Sequence, residues 1–418
     1  MGSNTTASGN TALGYGSLQS NTTGEDGVAI GLNALANTTT ASNNTAVGRG
    51  ALQVNTTGGS NTAIGYGALD ANTTADNNVA VGKNALGSNT TASSNVGVGK
   101  DALAANTTGD QNTAVGENAL VVNTTGRRNT AIGQGALNQN TTADRNTAVG
   151  NAALLYNTTG GSNTAVGRAA LALNTTGAAN VAVGTNALDE NTSANNNTAV
   201  GYEALTDCTT GTDNTAIGKE VLKNCTTGYD NTGVGRDALD SVTTGVKNTV
   251  CGTAGQDLTT GGNNLLLGYN AGSSASPSGS LTTHNNQICL GDDNIVDLYC
   301  ADTSISSSDK RDKTDVTDFT HGLNWVNQLK PVTYRWDKRT WYDDGTPDGT
   351  KKRNKKHIGF LAQDVLAIEG NPTNKDDMLV VNLNADDTAY GLKYERLVPV
   401  LVNAIKELST KITALEAK

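Results

Sequence analysis

A mainly β fold, a solenoid rod of 17-residue coils followed by a small α/β domain, is predicted by three observations. Fifteen glycines, from Gly14 to Gly252, recur every 17 residues without insertion or deletion. Aromatic residues make up only 4% of the 418-residue chain, too few for an ordinary globular core. All three tryptophans and both phenylalanines lie beyond Ser306. An uninterrupted repeat means that each unit stacks on the next and buries its apolar side chains against copies of themselves.

Each unit is numbered from its glycine. Asn usually stands at −4, Thr or Val at −3, Ala at −2 and Val, Ile or Leu at −1. After the glycine come Ala at +3, Leu at +4, Asn-Thr-Thr at +7 to +9 and Gly or Ala at +10, as in Asn146–Gly150 through Asn157–Gly160. The −3 to −1 run alternates, which predicts a short strand with −3 and −1 pointing into a core. Ala at −2 would then face outward and pack closely against something, such as a second chain. The glycine is expected to take a turn conformation that side chains forbid, and Asn-Thr-Thr-Gly has the composition of a turn. Coils ~4.8 Å apart would give a rod of roughly 70 Å. The Asn-Thr-Ala-Val-Gly unit resembles the repeats of trimeric autotransporter adhesin heads over roughly residues 10–268. That resemblance implies a left-handed parallel β-roll, three chains wide.

The register slips after Gly252, with Gly268 16 residues on and Gly291 23 further. The domains read as an N-terminal tail at 1–9, the rod at 10–268, a neck at 269–301 and a compact domain at 302–418. Within the last, Ser308-Asp309-Lys310-Arg311-Asp312-Lys313 opens a motif that continues to Val316. Gly359-Phe360-Leu361-Ala362-Gln363-Asp364-Val365 follows, then Tyr394, Leu397, Pro399, Leu401 and Ala404–Leu408. These three motifs, in this order, resemble the endosialidase-type intramolecular chaperone, the self-cleaving C-terminal domain of phage tail spikes and fibres. The family reads Val316 as Ile. The resemblance implies a Ser–Lys dyad, with Ser308 as nucleophile and Lys313 as its base, cutting between Ser307 and Ser308. A lysine serves as base only where burial or a nearby positive charge removes its proton. Arg311 would supply that charge or hold the turn, and Asp309 would cap it. Taken alone, a Ser-x4-Lys pair is no evidence of catalysis, and an inert descendant that folds without cutting is the competing reading.

The tail predicts a helix whose Val398, Leu401, Ile405, Leu408, Ile412 and Leu415 follow 3-4 spacing. That is a coiled-coil seam, and Ile405, Leu408, Ile412 and Leu415 are the expected trimerisation residues. The alternative is an amphipathic helix packed on its own domain. The basic run Lys351–Lys356 either grips an acidic partner or is a solvated loop.

Residues 302–418 balance 18 basic against 18 acidic residues, so the whole formal charge of −10 belongs to the preceding rod. An acidic rod excludes nucleic acid and anionic membrane as partners. No stretch is long or apolar enough for membrane insertion, and the opening Met-Gly-Ser-Asn-Thr-Thr is no secretory signal. Release by lysis as part of a virion, after synthesis in the host cytoplasm, is the expected route outward. Cys208 and Cys225 share the +7 position on neighbouring coils and are either a disulfide or paired free thiols. Cys251, at −1, is expected to be buried packing, while Cys289 and Cys300 carry no assignment. His284, His321 and His357 are too scattered for a metal site, and no cofactor is expected.

Three functions compete. The first is a viral tail fibre or spike, a homotrimer joined to other virion proteins, that meets a host-surface receptor, such as a glycan, and sheds its chaperone. The second is a repeat adhesin or ice-binding solenoid with a non-cleaving trimerisation cap. Its discriminator is the two-wide threonine ladder at +8 and +9: exposed and flat for ice binding, bonded to backbone for a structural role. The third, a polysaccharide enzyme within the rod, lacks an acidic pair and an aromatic sugar platform.

Overall fold

The computed structural model describes residues 3–295, 310–342, 344–384 and 389–417. The chain divides into two compact units.

The first unit comprises residues 1–269 and 282–288. Sixteen strands of three residues run through it, from β1 (Thr11–Leu13) to β16 (Leu265–Leu267). The strands pair in parallel from coil to coil with their −2 residues in register, mostly alanine against alanine, as Ala29 with Ala46 and Ala46 with Ala63. The rest of each coil is turn, and it too is bonded coil to coil. Leu52 N–H donates to Ala68 C=O at 3.0 Å, and Thr56 N–H to Thr73 C=O at 2.9 Å. Residues 282–288 rejoin the stack, with Thr259 N–H donating to Thr282 C=O at 2.7 Å. The predicted parallel β-solenoid is therefore the observed fold.

The strands face the other way from the expectation. Ala29, Ala46, Ala63 and Ala80, all at −2, are fully buried, whereas Ile64, Ile132 and Ile217, at −1, are about two-fifths exposed. The reason is the width of the coil. Leu at +4 fills the interior from the opposite wall. At the −2 glycine Gly97, an added Cβ would already lie 3.3 Å from Leu86 Cγ. Beneath these leucines the inward −2 residue is alanine or glycine in all but the last coils, where Val250 and Leu266 are buried, and the −1 and −3 side chains turn outward. Cys251, at −1, is accordingly exposed rather than buried.

Two conformations make the coil this narrow. The repeat glycine sits at positive φ, +134° at Gly31, where a Cβ would lie 2.5 Å from the Gly48 carbonyl oxygen. Glycine is thus required by both dihedral and space. The +4 leucines, from Leu18 to Leu239, adopt φ between +46° and +56°. Left-handed backbone costs an L-residue ~1–2 kcal/mol. Full burial of the leucine side chain contributes about 1.5–3 kcal/mol, which offsets it.

Two columns of buried asparagine complete the interior. At +7, Asn72 Nδ2 donates to Asn55 Oδ1 at 2.9 Å, and the chain of amides continues to Asn191 on Asn174 at 2.9 Å. At −4, the Asn61 N–H donates to Asn44 Oδ1 at 2.9 Å, while Asn61 Nδ2 donates to Ala75 C=O at 2.8 Å. These residues are buried, and burial without partners would be costly. The +7 column ends at Cys208, Cys225, Val242 and Leu258, which fill the same buried position. Both cysteines are free thiols. Burial pushes Cys208 up to about 12 and Cys225 to about 11.

The second unit comprises residues 270–281 and 289–418. Beyond the short strand β17 (Ile288–Leu290), its elements are α1 (Leu323–Val326), β18 (Val332–Tyr334), β19 (His357–Gly359), α2 (Ala362–Ile368), β20 (Val381–Leu383), β21 (Tyr390–Leu392) and α3 (Leu397–Glu416). Strands β18 with β19 and β20 with β21 form two antiparallel pairs. Its core gathers Trp325, Val365, Met378, Val380, Val381, Leu397 and Val400. Glu369, at the end of α2, accepts the backbone N–H groups of Leu379, Val380 and Val381 and so seats the start of β20.

Candidate functional site

The second and third C-terminal motifs are tied together by backbone and side-chain contacts. The Tyr394 hydroxyl accepts the Phe360 N–H at 3.1 Å, and the two rings stack at 6.1 Å. That hydroxyl occupies the space a side chain at Gly359 would need. The second motif therefore requires glycine followed by an aromatic residue because the third supplies tyrosine. Farther along α3, Asn403 Nδ2 donates to Phe319 C=O at 2.6 Å, and Glu407 accepts the Leu323 N–H at 3.2 Å. The helix thereby holds the chain that follows the first motif.

Of the dyad motif, Ser307, Ser308 and Asp309 lie outside the described residues, as does Cys300. A single 3-10 turn, Lys310–Asp312, follows, and Lys313 N–H closes it on Lys310 C=O at 3.4 Å. Arg311 and Lys313 are both exposed in the single chain.

The coiled-coil seam is sorted by face. Leu397, Val400 and Ala404 bury the first turns of α3 against the domain core. Leu401, Ile405, Leu408, Ile412 and Leu415 are exposed, from 43% at Leu408 to 70% at Leu415. The apolar seam of α3 beyond Ala404 is therefore not buried on its own domain, although Glu407 on the same stretch still bonds Leu323.

The basic run is exposed throughout, and two of its residues rest on aromatic rings. Arg353 lies over the Trp341 ring at 4.9 Å, and Lys351 over Tyr342 at 5.2 Å. Lys338 sits between Trp336 and Trp341, at 5.2 and 5.9 Å from their ring centres.

The threonine ladder answers the discriminator set by its sequence. Each +8 hydroxyl donates to the threonine carbonyl of the next coil, at 2.9 Å from Thr22 to Thr39 and 3.0 Å from Thr107 to Thr124. The +8 row is half-buried, apart from exposed Thr192, while the +9 row is exposed. A one-wide row, beside hydroxyls already bonded to backbone, favours a structural ladder over an ice-ordering face.

Residues 308–373 match the family model described as chaperone of endosialidase. The match begins at Ser308, the first residue after the expected cut. A chaperone of this peptidase type behind a repeat β-solenoid fits the tail-fibre resemblance. No curated protein matched the chain. No described helix is long and apolar enough to cross a membrane.

Proposed function

We propose that the chain is the rod of a phage-type tail fibre or spike, whose C-terminal chaperone assembles three copies in register and then cuts itself off. The observation that carries the reading is the chaperone match beginning at Ser308 behind fifteen interchangeable coils. Identical coils specify register weakly, since a slip by one coil preserves most local contacts. A domain that associates first removes that ambiguity. The exposed seam from Leu401 to Leu415 is suited to joining copies. The outward −1 residues then give each rod a continuous apolar stripe, from Leu13 and Ile30 onward and flanked by Thr or Val at −3, to zip against its neighbours. The association surface is therefore this stripe, and the −2 alanines belong to the coil interior.

In the cut, Ser308 Oγ attacks the Ser307 carbonyl carbon while Lys313 accepts the hydroxyl proton. The amide C–N bond breaks, the Ser308 nitrogen leaves as an amine with that proton, and water hydrolyses the ester. Lys313 is exposed in the single chain. Of the two ways to free a lysine of its proton, burial or a nearby positive charge, this reading assigns burial by neighbouring copies, so that cleavage follows assembly. Loss of the template leaves the rod kinetically trapped. The released fibre, carried on the virion with other virion proteins, meets a host-surface receptor. Deleting residues 302–418 tests the chaperone role. Aggregated or mis-registered rods are expected, and a correct trimer at normal yield would overturn it.

A further inference from the structure

Residues on the two sides of the expected cut are bonded to each other within the second unit. Asp293 lies before Ser307, whereas Lys338 and Thr340 lie after Ser308. Lys338 Nζ donates to Asp293 Oδ1 at 3.1 Å and to the Asp293 carbonyl oxygen at 3.2 Å. The Thr340 hydroxyl donates to Asp293 Oδ2. Beside them, an Arg353 guanidinium nitrogen meets Asn294 Oδ1 at 3.4 Å. Both carboxylate oxygens of Asp293 are thus held. The ion pair is mostly buried, with the Asp293 side chain 13% exposed and that of Lys338 23%.

The acceptor and donor are each positioned in advance. The Asp293 N–H donates to Ala275 C=O at 2.9 Å, which ties the aspartate to the rod side of the cut. Asp292 accepts the Asn294 N–H at 2.9 Å and tightens the same turn. On the chaperone side, the faces of Trp336 and Trp341 confine the Lys338 ammonium. With the ammonium over two indole faces and against one largely buried carboxylate, removing either partner leaves the other charge poorly compensated, unlike at a surface pair.

We propose that this contact is a retention clasp: after cleavage, the Asp293 turn of the rod piece keeps the 308–418 piece bound through Lys338 and Thr340. The proposal rests on the cleavage reading, because only a cut turns this contact into one between separate polypeptides. Release of the chaperone is then a second step, slower than the cut and set by the dissociation rate of the clasp. Truncating one partner of a buried charge pair acts chiefly on that rate.

The test uses the full chain with Ser308→Ala and a heterologous protease site in place of residues 303–306, so that the cut is made on demand. Retention of the 308–418 piece is followed by size exclusion at intervals after cutting. With Asp293 intact the pieces co-elute, and added salt hastens their separation. Asp293→Asn, which keeps the shape and removes the charge, is expected to release the piece at least about tenfold faster and to lose the salt dependence. Circular dichroism on the uncut chains confirms that both variants are folded. Equal release rates with and without the Asp293→Asn change, or immediate separation with Asp293 intact, overturn the clasp. Failure of the wild type to cut itself would instead overturn the cleavage reading and leave this result standing.

Discussion

Gly233 is glycine because Val221 is valine. At −2 nearly every other coil carries alanine, and at +3 nearly every other coil carries alanine too. An added Cβ at Gly233 would lie 2.6 Å from Val221 Cγ1. The two exceptions therefore compensate across adjacent coils within one narrow interior. Gly233→Ala should destabilise the rod by ~1–3 kcal/mol, the cost of overpacking. Adding Val221→Ala should recover most of that loss. Thermal unfolding of both single variants and the double variant measures the coupling, and purely additive effects would refute this packing.

Thr38 is the weak rung of the +7 column. It replaces asparagine, is 1% exposed, and its hydroxyl has no hydrogen-bond partner. Thr38→Asn would place an amide between Asn21 and Asn55, as in the coils that follow. It should stabilise by about 1 kcal/mol, the net worth of a hydrogen bond regained by a buried group. An unchanged or lower melting temperature would count against the column as a stabilising element.

Cys208 and Cys225 make the rod sensitive to alkali. Their thiols are held neutral in the fold by burial, up to about 12 and about 11, against an ordinary value near 9. Above pH 9 the unfolded chain loses these protons and the folded chain keeps them. Stability is thus whole below pH 9 and falls as pH rises towards 11–12. Cys208→Ser with Cys225→Ser should flatten that part of the pH–stability curve, as read by denaturant midpoints. Thiol reagents at neutral pH should label neither cysteine before unfolding, whereas Cys251, exposed in the single chain and set in the proposed association stripe, should react in the monomer and be protected in the assembled rod.

Much of the fold was legible because a 17-residue period leaves few alternatives. Spacing predicted a stack of coils, the resemblance of the repeat predicted that it is parallel, and motif order predicted the chaperone-type domain. The facing of the strands was not legible. Alternation says that −1 and −3 share a side, but which side is inside depends on how much of the interior Leu at +4 already fills. The asparagine columns were equally hidden. Asn at −4 and +7 reads as turn chemistry in one coil, and only stacking turns it into a buried ladder. At the site, the three motifs pointed to one domain. The hydroxyl of Tyr394 against Gly359 and Phe360 became apparent only in three dimensions.

The seam of α3 should govern both assembly and cutting. Ile405→Asp with Ile412→Asp places charges on an exposed apolar face and leaves the buried Leu397, Val400 and Ala404 untouched. The domain should still fold, while the trimer is lost by light scattering and self-cleavage slows at least about tenfold. Full-rate cleavage in a monomer would show that Lys313 needs no neighbour.

The most direct measurement is intact-mass spectrometry of the purified wild type beside Ser308→Ala. The account predicts a wild type broken after Ser307, yielding the 308–418 piece, and a mutant that stays whole. Two uncut trimers would contradict it, making the domain a permanent cap and removing Ser308 and Lys313 from any catalytic role.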